Sequence, residues 1–281
     1  MKRRAARSAW LIPKIIFGSV VLFLTLFPFY WLIVMSIRPV EDLAGEVTFF
    51  PRTVSFGHYL ELFRNEGFGR ALINSAEVTA VSVLVSLILG LMTAYVAARR
   101  RFRLRMKRPL SIWVFVIRIL PPVAFVIPLY SMFNRLGLLG TKVPAMLSCM
   151  LINTPFIIWF MVSFLRAIPE DIEMSARIDG AGELQLFLRI VLPLIVPEIA
   201  AVTILCFLYS WNEYTYSIIF VQNAVNYTVP LSLATMNADG ALSRFSVVSA
   251  GGVLSVIPIL LFVIFAQKQL VSGLAVGAVS E

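Results

Sequence analysis

The sequence predicts an all-α polytopic membrane protein with six transmembrane helices, and three observations carry the prediction. Hydrophobic residues make up 59% of the 281 and charged residues only 14%, against about 25% charged in a typical soluble domain. Mean hydropathy is +0.89. The apolar residues also fall into six runs of the length a bilayer demands, because a hydrocarbon core about 30 Å thick takes roughly 20 helical residues to cross.

Those runs are Pro13 to Ser36, Leu72 to Ala98, Leu110 to Phe133, Val143 to Leu165, Ile199 to Val221, and Ser246 to Gln267. The first is too long for the apolar stretch of a signal peptide, and no small-residue cleavage site precedes the polar segment starting at Arg38, so it is expected to remain as a span. The chain then divides into an N-terminal segment, 1–12, a transmembrane domain, 13–267, and a tail, 268–281. An even number of crossings puts both termini on one side. Sixteen Lys and Arg residues fall on that side, among them Lys2, Arg3, Arg4, Arg7 and the run from Arg99 to Arg108, against seven opposite. The positive-inside rule makes the terminus side cytoplasmic. The run from Arg99 to Arg108 reads as an anchor touching anionic headgroups.

The same layout excludes several functions. A net charge of +9 could suggest nucleic acid, but the bases cluster between apolar runs and build no basic face. Cys149 and Cys206 lie inside apolar runs, which argues against a disulfide framework or a metal cluster. His58 is the one histidine and falls in a loop, so neither a His-pair metal site nor intramembrane hydrolysis is expected, and the chain does not read as an enzyme.

The segment from Arg166 to Glu198 breaks the pattern. It lies inside, yet carries three bases against six acids, Glu170, Asp171, Glu173, Asp179, Glu183 and Glu198. An acidic segment gains nothing from an anionic leaflet and is better suited to a protein surface, although a connector with no partner remains open on these grounds. Pro169 followed by three acids reads as a helix start, and Asp179-Gly180 as a turn. Leu184, Phe187, Leu188 and Val191 then share one helical face, and Pro193 and Pro197 punctuate the entry to the fifth run.

Glu173-Met-Ser-Ala-Arg-Ile-Asp179-Gly180-Ala181, followed by Phe187, Ile190, Leu192, Pro193 and Pro197, resembles the "EAA" loop of the membrane subunits of ATP-binding-cassette importers. One departure is Met174-Ser175 where that loop has Ala-Ala. Asn74-Ser75, Pro121-Pro122, Pro128-Leu129-Tyr130, Trp211-Asn212-Glu213, Gly273-Leu274 and Gly277-Ala278-Val279 extend the resemblance over nearly the whole chain, to the carbohydrate branch of MalG type. The tail departs, ending Ser280-Glu281 where the family commonly ends Lys-Gly.

The resemblance implies a type I importer permease fold in the bacterial inner membrane. It implies a cytoplasmic ATP-binding subunit dimer, a second homologous permease subunit, and an extracytoplasmic solute-binding protein that meets the outer segments, Asn223 to Asp239 above all. It implies ATPase-coupling roles for Glu173, Asp179, Gly180, Ala181, Phe187 and Pro193: Glu173 as a charge-assisted contact with the ATPase, Gly180 for a sharp turn, Ala181 for close backbone approach and Phe187 as an anchor of the second helix. No G-x-x-x-x-G-K-[ST] occurs in this sequence, so ATP belongs to the partner and no cofactor is expected here. The implied solute is a sugar, oligosaccharide or polyol. The alternatives are a permease of the same superfamily for another solute, and an autonomous secondary carrier or channel.

Two polar rows supply candidates for the solute path. Ser75, Thr79, Ser82, Ser86, Gly90 and Thr93 share a helical face in the second run, where small residues favour helix packing. Thr203, Cys206, Ser210, Glu213 and Ser217 form a second row, with Asn212 beside it. The path candidates are Ser82, Ser86, Ser210, Asn212 and Glu213, the acid being read either as solvated in an aromatic belt or as part of a mouth that meets solute. Arg118 and Glu77 lie at different depths, so no bridge is expected between them. Arg118 is expected to snorkel or bond polar groups within the bundle rather than touch solute.

Overall fold

The computed structural model describes residues 11–43, 48–99, 102, 107–236 and 242–277, which form helices and turns with no strand among them. The helices are α1 (Leu11–Ile37), α2 (Gly57–Arg64), α3 (Phe68–Ala98), α4 (Lys107–Ile119), α5 (Val126–Arg135), α6 (Val143–Ala167), α7 (Glu170–Ile178), α8 (Glu183–Leu194), α9 (Val196–Trp211), α10 (Ser217–Phe220), α11 (Val229–Met236) and α12 (Leu242–Gly277). Four of them contain stretches long and apolar enough to cross a membrane: Pro13–Ile37, Phe68–Ala98, Val143–Ala167 and Arg244–Ala266. Two bent pairs bring the total to six if each counts as one crossing.

The third run is therefore not a continuous helix, and neither is the fifth, whose helix stops at Trp211, both contrary to expectation; the second bent pair, Glu183–Leu194 with Val196–Trp211, breaks before the fifth run begins. Ile112–Ile119 and Pro122–Arg135 meet at 108°. Pro121 and Pro122 have no N–H to donate, and a proline disfavours helical backbone at the residue before it, so the helix stops short of them. A 3-10 turn, Pro122–Phe125, restarts the chain. In the fifth run the helix ends at Trp211 rather than Val221. Asn212 caps it, turning its Nδ2 back to Leu208 O at 2.8 Å.

The chain divides into two compact units, residues 1–68 with 233–257, and 69–232 with 258–281. In the first, Arg38 bonds Thr48, His58 Nε2 donates to Arg38 O at 2.9 Å, and Arg244 pairs with Glu66. His58 is thus a buried strut rather than a solvated loop residue. The second unit centres on Leu91, Ala94 and Tyr95 of α3, Ile157, Met161 and Leu165 of α6, Phe187 and Val191 of α8, and Val202 and Cys206 of α9. At its other end Asn74 donates to Val225 O at 2.9 Å and Tyr227 O at 3.0 Å, and Ser75 Oγ accepts Val229 N at 2.8 Å. Glu77 pairs with Lys142, not with Arg118.

The small-residue row of α3 packs within this unit. Ser82 and Ser86 are fully buried, and a Cβ built on Gly90 would lie 2.7 Å from Ile157 Cγ2. Replacing Gly90 by Ala should therefore cost about 1–3 kcal/mol through overpacking. The expected readout is a lower thermal unfolding midpoint in detergent, while Gly18→Ala, where nothing lies within 4 Å, leaves it unlowered. Equal midpoints for the two variants would refute the close approach of α3 and α6.

Candidate functional site

The acidic segment folds into an elbow of two helices, α7 and α8. Pro169 caps α7, and Glu170, Asp171 and Glu173 occupy its first turn, where acids complement the helix dipole. The Asp179-Gly180-Ala181 triplet stops it. Gly180 has φ +87°, its N–H donates to Arg177 O at 2.9 Å, and Ala181 N donates to Ala176 O at 3.0 Å. These two bonds form a Schellman cap, whose left-handed residue favours glycine. Asp179 and Pro193 are exposed.

The second helix departs from the expected face. Leu186–Val191 is π-helical, with more residues per turn than an α-helix. The wider turn brings Leu186, Phe187 and Val191 inward and leaves Leu184 and Leu188 exposed. Phe187 packs on the Tyr95 ring, centroids 5.0 Å apart.

Glu173 requires a correction. It does not project toward a partner; it is 0% exposed, against 1% for Arg99. Arg99 Nε donates to Glu173 Oε1 at 2.6 Å, Tyr95 OH donates to Oε2 at 3.0 Å, and Arg99 Nη1 reaches Leu165 O. Arg177 lies 3.7 Å from the same carboxylate and 3.3 Å from Glu183. One carboxylate thus ties α7 to the C-terminal end of α3, and the same guanidinium reaches the end of α6. Arg99 is consequently no headgroup anchor, and Tyr95 and Arg99 are the site residues sequence reasoning missed. Their i, i+4 spacing put them on one face of a helix, but nothing in the sequence marked which of three nearby acids turns inward.

The elbow exposes several large apolar side chains among its polar ones. Ile178 is 84% exposed, Leu184 65% and Met174 55%, with Ile172 and Leu188 also open.

The path candidates scatter. Ser82 Oγ bonds Val78 O and, like Ser86, sits in the subunit's own core; a path lined by either would need them opened to it. Ser210 Oγ is buried and accepts Asn153 Nδ2 at 2.8 Å, while Asn212 is exposed. Glu213 is neither solvated nor on a helical row. Its buried carboxylate accepts Tyr216 N at 2.6 Å, Ser217 N at 3.2 Å and Ser217 Oγ at 2.7 Å. This fixes Tyr216, whose hydroxyl donates to Pro122 O at 2.9 Å, a carbonyl at the break in the third run.

Residues 86–276 match the family described as binding-protein-dependent transport system inner membrane component. The chain belongs to that family. This permease is 31% identical over 281 residues to the diacetylchitobiose uptake system permease protein of Streptomyces coelicolor, covering 99% of each chain. It is 30% identical to the trehalose transport system permease protein of Mycobacterium tuberculosis, covering 90% of this chain and 92% of that one. The melibiose/raffinose/stachyose import permease protein of Bacillus subtilis is 29% identical, with 98% and 99% covered. The fold is similar to a crystal structure of a bacterial ABC transporter involved in the import of the acidic polysaccharide alginate, with TM-score 0.80, 24% identity, and 94% and 97% covered. The protein is thus a multi-pass inner-membrane permease of an ABC importer, works with a solute-binding protein, and is not an enzyme.

Removing one partner of a buried ion pair strands the other and costs about 3–5 kcal/mol, whereas replacing both by apolar groups is often near neutral. Arg99→Met and Glu173→Leu singly should each destabilise the purified permease by that amount, and the double variant by clearly less than their sum. Additive losses in thermal unfolding would show that the pair is not coupled.

Proposed function

We propose that this permease imports a sugar, oligosaccharide or polyol, pairs with a second homologous membrane subunit, and is driven by a cytoplasmic ATPase dimer that grips the α7–α8 elbow. The exposed apolar surface at Ile178, Leu184 and Met174, set on a segment braced from behind, is the observation that carries the coupling. A patch of this kind on a rigid mount transmits force; the same patch on a loose loop would not. The solute class rests on the relatives, whose names specify trehalose, melibiose/raffinose/stachyose and diacetylchitobiose. The excess of bases on the elbow's side supports cytoplasmic termini. The outer segment starting at Asn223, pinned through Asn74 and Ser75, is the element proposed to meet the solute-binding protein.

In this reading Asp179, Gly180 and Ala181 set where α7 stops, and Phe187 seats α8 on Tyr95, so that the apolar patch presents one shape to the ATPase. Pro193 helps end α8 before the 80° bend into α9.

Two measurements test it. Ile178→Asp should abolish co-purification of the ATPase subunit while leaving the permease's own unfolding midpoint in place, and a cysteine replacing Ala181 should crosslink to that subunit in membranes. Retention of the ATPase by Ile178→Asp would show that it docks elsewhere, and solute uptake that survives removal of the ATPase would overturn the coupling reading.

A further inference from the structure

At the break in the third crossing the second unit forms an open-sided cavity of about 310 Å³, lined by Arg118, Asn153, Tyr209, Phe156, Leu120 and Leu205 among others, of which Arg118, Leu120 and Leu205 are exposed. Three polar groups open onto it without a full set of protein partners. The Arg118 guanidinium lies 4.3 Å from the Trp159 ring centroid and 4.9 Å from that of Phe156, and among the described residues it makes no hydrogen bond or ion pair. Of the two alternatives expected for it, snorkelling or bonding polar groups of the bundle, the exposed side chain makes no bond of the second kind among the described residues. Asn153, 1% exposed, spends its Nδ2 on Ser210 and leaves Oδ1 without a donor. The Tyr209 hydroxyl also has no bonded neighbour among the described residues.

Arginine stays protonated at any working pH, so its charge cannot be discharged by titration. It lies six residues beyond Ile112, where the apolar stretch of its helix begins, about 9 Å along the axis. Charged side chains at that depth are found facing protein or water-filled cavities, and non-helical backbone such as Leu120–Pro122 is tolerated there only where it is buried or lines such a space. Two aromatic faces attract the cation but satisfy none of its N–H groups.

We propose that this cavity is a solute subsite that takes a saccharide bearing an anionic group, with Arg118 as its receptor. A carboxylate, sulfonate or phosphate accepts the guanidinium fork in two parallel bonds, while ring hydroxyls donate to Asn153 Oδ1 and exchange a bond with Tyr209. A neutral sugar would meet the second requirement and leave the charge uncompensated. The proposal rests on the importer reading above and narrows its solute class.

The test is equilibrium binding to the purified permease–ATPase complex without its binding protein, followed by quenching of tryptophan fluorescence, with digalacturonate and neutral galactobiose as probes. Wild type should bind digalacturonate at least tenfold more tightly than galactobiose. Arg118→Gln should erase that preference while the complex elutes intact, and Arg118→Lys should keep part of it. Trp159→Phe should remove most of the signal. Equal binding of galactobiose by wild type and Arg118→Gln, with no preference for the acid, would discard the anionic subsite yet keep the importer. Binding of neither probe would overturn the subsite and leave the importer reading in place. Dissociation of the Arg118→Gln complex would show instead that Arg118 is a strut against the sister subunit, and would overturn the proposal.

Discussion

A buried ion pair, Arg99 with Glu173, is the constraint on which the rest of the second unit depends. Two charges withdrawn from water repay their desolvation only with good geometry and further hydrogen bonds. Here Tyr95 supplies one and Leu165 O receives another, so the node joins α3, α6 and α7 at one point. Phe187 stacks on the same tyrosine and brings in α8. An elbow fastened this way cannot swing independently of the crossings it joins, which is what a mechanical connection to a motor requires. Its inward face is used up by the node, and its outward face carries Ile178, Leu184 and Met174 among polar residues.

The second organising constraint is proline. Pro121 and Pro122 end α4 and open a bend in the middle of an apolar run, and the carbonyl left there is taken by Tyr216, itself held by the Glu213 cap. Polar groups that look like path residues thus divide by what they bond. Ser82 and Glu213 are spent on the fold and Ser86 is buried in the core without a bonded neighbour, whereas Arg118, Asn153 and Tyr209 keep bonding capacity toward one cavity. Inside a membrane, where unpaired polar groups are costly, that residue of unspent capacity is the better guide to a site than polarity alone.

Much of this was legible in the sequence. Run lengths located the four helices long and apolar enough to cross, and the Asp179-Gly180-Ala181 stop was readable because Gly180 supplies the backbone that a Schellman cap needs. The helix breaks in runs three and five were underread: hydropathy stays high through Pro121 and through Trp211, and composition carries no record of a bend. The α8 face was misjudged because periodicity assumes 3.6 residues per turn and a π-turn does not obey it. Arg99 looked like one of several basic residues at a membrane border, and only tertiary contact separates it from its neighbours. The direction of Glu173 was hidden for the same reason, since burial of a carboxylate depends on a partner 74 residues away.

The account's central claim is that the elbow and the C-terminal half of α3 move as one body. Spin labels placed at the exposed positions Ile178 and Met92 of the reconstituted importer, with Cys149 and Cys206 replaced by alanine, measure this directly as a distance with and without ATP. The same distance distribution in both states is the predicted result. A shift of a helical turn, about 5.4 Å, on ATP binding would mean that the elbow slides over the crossing, and would contradict the account.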